Sequence, residues 1–230
     1  MSFVFPPPPT VSVPVAGGGA FPVHRIYCVG RNYVEHAQEM GFTGREPPFF
    51  FMKPADAAVP VVDGETGRIE YPSLTANLHH EVELVVAIGM GGRDIKAGDA
   101  ARHIWGYAVG LDMTRRDLQN EMKKLGRPWS IGKAFEQSAP IGPIVPISRT
   151  GELTRGEIAL KVNGHARQKG DLKDLIWSVD EIIEHLSAAW TLQPGDLIYT
   201  GTPAGVAPVV RGDVMEGRVE GLPELRVAVA

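Results

Sequence analysis

Short apolar runs separated by turn residues dominate this chain. EVELVVAIG (81–89), HIWGYAVGLDM (103–113) and APIGPIVPI (139–147) are bounded by Gly, Pro and Asp, a pattern that predicts strands. His24–Val29 and the aromatic run in REPPFFFMKP (45–54) predict two more, because Pro47 and Pro48 forbid a helix there. Helical spacing occurs in three places. Tyr33, Ala37 and Met40 fall at i, i+4 and i+7 in RNYVEHAQEMG (31–41), and Leu118, Met122 and Leu125 do so in RRDLQNEMKKLG (115–126). SVDEIIEHLSAAWTL (178–192) opens on Ser178 and Glu181, spaced as a capping box. Pro194-Gly195-Asp196 then turns the chain into a strand, LIYT. Residues 1–22, with four consecutive prolines and three consecutive glycines, read as an N-terminal arm carrying an edge strand around Val11–Val15, or else as a disordered tail. The pattern predicts a mainly β, α+β chain: the arm over 1–22, then one domain over 23–230 with three short helices.

Composition narrows the partners. Of 230 residues, 27 are glycine and 19 proline, well above the usual share of about 12%, as expected for many turns. The net charge is −4 and the basic residues do not cluster, which argues against a nucleic-acid partner. A lone cysteine, Cys28, permits neither an intrachain disulfide nor a cysteine zinc cage. No apolar run approaches 18 residues, so no membrane helix is expected. The first basic residue is Arg25, which argues against a secretory signal and points to a cytoplasmic location.

Three groups of residues could carry chemistry. On a strand, Glu81 and Glu83 project from one face, and their mutual repulsion is relieved by a shared divalent cation. A second apolar run ends in Asp112, a third carboxylate. Three carboxylates without His or Cys favour Mg²⁺ or Mn²⁺. The same Glu-x-Glu spacing is also that of a solvated strand face. His36 and Glu39, three apart in a helix, can form a carboxylate-oriented general base or an exposed His–Glu pair. Tyr199-Thr200-Gly201-Thr202-Pro203-Ala204-Gly205 offers small residues at a strand end, suited to close approach of a ligand or simply to a tight turn. Lys53, Gln119 and Lys133 each adjoin one of these motifs. His79 and His80 precede the carboxylate pair and suit a supporting or surface role better than ligation.

Taken together, VGRNYVEHAQEM (29–40), PPFFFMKP (47–54), HEVELVVAIG (80–89), GYAVGLDMTRRDLQ (106–119), GRPWSIGKAFEQSAPIGP (126–143), VNGHARQ (162–168) and PGDLIYTGTPAGV (194–206) resemble the fumarylacetoacetate hydrolase family, in the family's order. A narrower likeness, to that family's fumarylpyruvate hydrolases, rests on FPVHRIYCVGRNY, REPPFFFMKPADA and GLDMTRRDLQ. The resemblance implies a mixed β-sandwich roll, often homodimeric, with its site at one mouth. It implies Glu81, Glu83 and Asp112 as ligands of Mg²⁺ or Mn²⁺. It also implies a water-activating dyad of His36 and Glu39 on a lid, with Lys133 as a further catalytic group. Gln119, Lys133 and Thr202 match positions that contact the keto-acid end of the substrate; Lys53 and Arg116 are expected beside them. The implied reaction is hydrolysis of a carbon–carbon bond in a small β-diketo acid, fumarylpyruvate to fumarate and pyruvate in gentisate breakdown. Acylpyruvate hydrolysis, oxaloacetate-type decarboxylation or tautomerisation, and a non-catalytic binding module are the alternatives. Arg115 stands where the family often has a small residue, and is expected either to hold the substrate's distal carboxylate or to lie at the surface. The tail after Asp213 departs from the family's alternating form, so the resemblance does not fix its strand pairing.

Overall fold

A computed structural model describes residues 3–34 and 45–230. Strands form a mixed eight-stranded sheet and a five-stranded sheet, with two smaller pairings. The larger sheet runs in the order Phe49–Lys53, Ile26–Gly30, Leu197–Tyr199, Val82–Ile88, Ile104–Leu111, Ala139–Ile141 and Ala58–Pro60, with Val145–Pro146 beside Ile104–Leu111. The smaller runs His165–Asp171, Glu157–Val162, Val214–Val219, Leu225–Val229 and Thr66–Ile69. The divergent tail thus pairs in register with the rest: Val214–Val219 lies antiparallel to Glu157–Val162, and Leu225–Val229 parallel to Thr66–Ile69.

Val82–Ile88 is buried at every position, which explains why its sequence is continuously apolar from Leu84 to Ile88 rather than alternating, with Glu83 the exception. Leu84 and Val86 face a core shared with Ile158, Leu160 and Met215 of the five-stranded sheet and with Ile182, Ile183 and Leu186 of the helix Val179–Ala189. Val85 and Ala87 face a second core with Cys28, Tyr199 and Ile141. Val13 and Phe21 from the N-terminal stretch close this second core, held by the hairpin of Ser12–Pro14 with Ala20–Pro22. The edge strand expected around Val11–Val15 therefore forms and packs. Among the described residues no helix is long and apolar enough to cross a membrane.

The helix Val179–Ala189 begins with the anticipated reciprocal cap: Glu181 N–H donates to Ser178 Oγ and Ser178 N–H to Glu181 Oε2. Replacing Ser178 by Ala removes a partner from the first-turn amides. It should lower stability by about 1 kcal/mol, read as a lower urea midpoint at unchanged slope.

The second helix, Arg116–Leu125, forms as expected but buries a different face. Leu118 and Met122 are only half-buried and Leu125 is 52% exposed, whereas Arg116 and Gln119 are buried. The surface it packs against is a cluster of charged groups, not an aliphatic core. Two single-turn helices, Ser130–Lys133 and Ile147–Thr150, are too short to leave a periodic signal. The helix expected over 31–41 falls mostly within 35–44, outside the described residues.

Candidate active site

Strand parity assembles the centre. Glu81 and Glu83 share the face of Val85, and Asp112 shares that of Ala108 on the neighbouring strand. Val82 pairs with Leu111, and Asp112 N–H donates to Glu81 O at 2.8 Å, which carries the ladder one step further. The three carboxylates are thereby brought together at the strand ends, all buried, with ligand oxygens within 4.8 Å of one another.

Cations converge on them. Lys133 Nζ donates to Glu81 Oε2 at 2.8 Å, Asp112 Oδ2 at 2.7 Å and Thr114 Oγ1 at 2.7 Å. Burial pulls the Lys133 ammonium pKa down, but Asp112 and Glu81 outweigh it and the net shift is upward, so Lys133 is charged. Lys53 Nζ stands 2.8 Å from Asp112 Oδ1, close enough for an ion pair but outside hydrogen-bond angles. It donates instead to Met113 O at 3.2 Å and to Lys133 O. Arg116 donates through Nη2 to Glu81 Oε1 and through Nη1 to Gln119 Oε1 at 2.6 Å. Arg116 Nε donates to His79 Nδ1 at 3.3 Å, and His79 Nε2 lies 2.9 Å from Asn77 Oδ1. Burial and the Arg116 charge lower the His79 pKa to about 4, so it is a neutral acceptor that aims Arg116. His80 is fully buried with Nδ1 against Gln168 Oε1 at 2.9 Å. Both histidines thus engage side chains that border the carboxylates, His79 through Arg116 and His80 through Gln168.

Glu83 is the exception. Gly201 N–H donates to it at 2.8 Å. Gly201 has φ +106, and a Cβ there would fall 2.7 Å from Asn32 Cβ, so the position requires glycine. Burial, Asp112 and Glu81 push the Glu83 carboxyl well above its usual range. A divalent cation shared with Glu81 and Asp112 removes that penalty. Asp112 Oδ1, buried without a hydrogen bond, is a second acceptor such a cation would satisfy. An all-oxygen donor set of this kind fits a hard cation. The space between these groups is about 20 Å³, room for one ion or one water.

Thr202 lies at this chamber and is fixed by Gln168, whose Nε2 donates to Thr202 Oγ1 and Pro203 O, both at 2.8 Å. Gln168 comes from the five-stranded sheet, and a lone strand glutamine gives no sign of such a role in the sequence. Asn32 is equally silent; its Nδ2 donates to Thr200 O at 2.8 Å and Trp177 O at 2.9 Å, pinning the strand end that carries Gly201. Of the expected site residues, Glu81, Glu83, Asp112, Lys53, Lys133, Arg116, Gln119 and Thr202 come together. Arg115 does not join them. Its guanidinium lies over the Phe135 ring at 4.4 Å and donates to Ile131 O at 3.2 Å, so the side chain is packed away from the chamber. His36 and Glu39 lie outside the described residues.

Residues 25–230 match the fumarylacetoacetate (FAA) hydrolase C-terminal family. The chain belongs to the fumarylacetoacetate hydrolase family. A solved fumarylpyruvate hydrolase from Pseudomonas aeruginosa, in complex with Mn²⁺ and pyruvate, is 56% identical, with a TM-score of 0.98 over 100% of this chain and 99% of that one. The human mitochondrial oxaloacetate tautomerase FAHD1 is 42% identical, covering 86% of this chain and 87% of its own. The mitochondrial oxaloacetate decarboxylase of Dictyostelium discoideum is 40% identical, over 86% of this chain and 89% of its own. The family's mainly β fold and an enzymatic role follow from this membership.

Proposed function

We propose that the protein is a hydrolase, dependent on Mg²⁺ or Mn²⁺, that cleaves fumarylpyruvate to fumarate and pyruvate. The observation that carries this reading is the buried Glu81–Glu83–Asp112 cluster in a chain 56% identical, over its whole length, to a fumarylpyruvate hydrolase that binds Mn²⁺ and pyruvate. The reading places the protein in gentisate breakdown and, with its family, as a cytoplasmic homodimer.

Glu81, Glu83 and Asp112 would hold the cation, which when bound supplies Lewis-acid polarisation of the keto acid. Lys133, Gln119 and Thr202 bind the pyruvoyl end, and Lys53 and Arg116 hold the carboxylates in place around it. His36, oriented by Glu39, takes a proton from water, whose oxygen adds to the carbonyl carbon of the fumaryl arm. The bond from that carbon to the pyruvoyl methylene breaks, leaving its electron pair on the methylene as an enolate. The Lys133 ammonium stabilises that negative charge until a proton arrives to give pyruvate.

His36→Ala should lower kcat about 10²–10⁴-fold, the usual worth of a general base. Its Mn²⁺ affinity by calorimetry should match the parent's, because His36 is not a ligand; near-parental turnover would remove it from the mechanism.

The oxaloacetate tautomerase and decarboxylase relatives favour a second reading, which needs the same cation site but no activated water. Pyruvate release from fumarylpyruvate, maleylpyruvate, acetylpyruvate and oxaloacetate, with Mn²⁺ or Mg²⁺ present, separates the two. The highest kcat/KM is expected on fumarylpyruvate, whereas a preference for oxaloacetate would replace the hydrolase reading.

A further inference from the structure

The carboxylate chamber adjoins a wider cavity of about 570 Å³, within the range of small-molecule sites. Arg31, Phe51, Trp129 and Lys133 line both spaces, so the outer one lies next to the carboxylates, on the side of Lys133. The outer wall is aromatic. Trp129 meets Phe49 edge-on, with ring centres 5.3 Å apart, and leans over Phe51 at 6.1 Å. Such a wall suits a flat, conjugated chain.

The polar part of this cavity is cationic. Arg31 has φ 56, in the left-handed region that a non-glycine residue adopts at some cost. Its guanidinium lies 5.3 Å from the Phe49 ring centre and 5.9 Å from that of Trp129. Arg127 is placed by the end of the helix Arg116–Leu125. Gly126 turns the chain at φ 62, and the Arg127 N–H donates back to Met122 O at 2.9 Å, closing the helix. The Arg127 side chain lines the cavity, is exposed and, among the described residues, makes no hydrogen bond or ion pair. Lys123 adds positive charge nearby: burial, Arg31 and Arg116 together lower its pKa. Glu46 faces Arg31 from the acidic side. A second carboxylate on the substrate would meet this group of cations and gain charge-assisted hydrogen bonds.

We propose that Arg127, with Arg31 beside it, holds the distal carboxylate of a dicarboxylic substrate, so that the aromatic cavity selects a fumaryl arm over a neutral acyl arm. The assignment rests on the cleavage reaction proposed above and moves the distal contact from Arg115, which is committed to Phe135 and Ile131, to the opposite end of the helix Arg116–Leu125.

Arg127→Ala tests it with little risk to folding, because the side chain is exposed; equal melting temperatures check that point. The variant should lose about 10–100-fold in kcat/KM on fumarylpyruvate, the usual worth of a charge-assisted contact, and change less than about threefold on acetylpyruvate. Arg31→Lys, which keeps the charge but not the planar fork, should show a smaller selective loss. Equal losses on both substrates, no loss on either, or a selective loss confined to Arg115→Ala each overturn the subsite. Calorimetry on the Mn²⁺-loaded protein gives a readout independent of turnover. Fumarate should bind at least about 10-fold more tightly than crotonate, which lacks the second carboxylate, and Arg127→Ala should erase that preference. Wild-type protein that favours fumarate yet leaves fumarylpyruvate intact supports the subsite and rejects the reaction; wild-type protein indifferent between the two acids rejects the subsite whatever it hydrolyses.

Discussion

Chelation of the protein followed by removal of the chelator should abolish pyruvate release from fumarylpyruvate, and Mn²⁺ or Mg²⁺ should restore it. The expectation follows from the carboxylate cluster itself. Lys53, Lys133 and Arg116 engage Glu81 and Asp112, while Glu83 receives a backbone N–H but is strongly disfavoured as a buried anion. The three cations thus pair with Glu81 and Asp112 and leave Glu83, among the described residues, without an ion pair of its own. A divalent ion is the group that makes all three carboxylates favourable as anions, and it offers open positions to a chelating keto acid. An ammonium donates hydrogen bonds but accepts no lone pair, so Lys133, although it holds Glu81 and Asp112, does not replace the ion as a Lewis acid. Full turnover by protein shown by elemental analysis to be metal-free would refute the requirement.

Glu83→Gln should weaken Mn²⁺ binding by about 100-fold or more, beyond the 10–100-fold commonly lost with a residue that only supports a ligand. The fold should survive. The amide oxygen still accepts from Gly201, and the substitution removes a charge rather than core volume. The sign on stability is a sharper check. In the metal-free protein near neutral pH, burying an ionised Glu83 is unfavourable, so the metal-free variant should melt at or above the metal-free parent. With saturating Mn²⁺ the order should reverse, because the parent gains binding free energy that the variant lacks. A variant that binds Mn²⁺ as tightly as the parent would take Glu83 out of the ligand set.

The part of this centre that could be read from sequence is the part governed by strand alternation. Alternation puts Glu81 and Glu83 on one face, and Asp112 ends a second apolar run. Both hold, because Val82–Ile88 and Ile104–Leu111 pair in register up to Val82 and Leu111. The helix Arg116–Leu125 shows where periodicity misleads. Its leucine and methionine spacing suggests a buried apolar stripe, but the face that tertiary contacts bury carries Arg116 and Gln119, since the opposing surface is charged. Residue pattern alone does not separate Lys53 and Lys133 from solvated lysines; only the family resemblance singles them out, and the structure buries both against Asp112. Arg127 is harder still: its place at the outer cavity depends on a left-handed turn at Gly126 and on aromatic residues from a distant strand.

Hydrolysis itself is most directly tested by turnover of fumarylpyruvate in ¹⁸O-labelled water with Mn²⁺ present, followed by mass analysis of the products. Fumarate and pyruvate in equal amounts, with ¹⁸O in the newly formed fumarate carboxylate, is the expected result. Substrate that is only ketonised, or that loses carbon dioxide without yielding labelled fumarate, would contradict it.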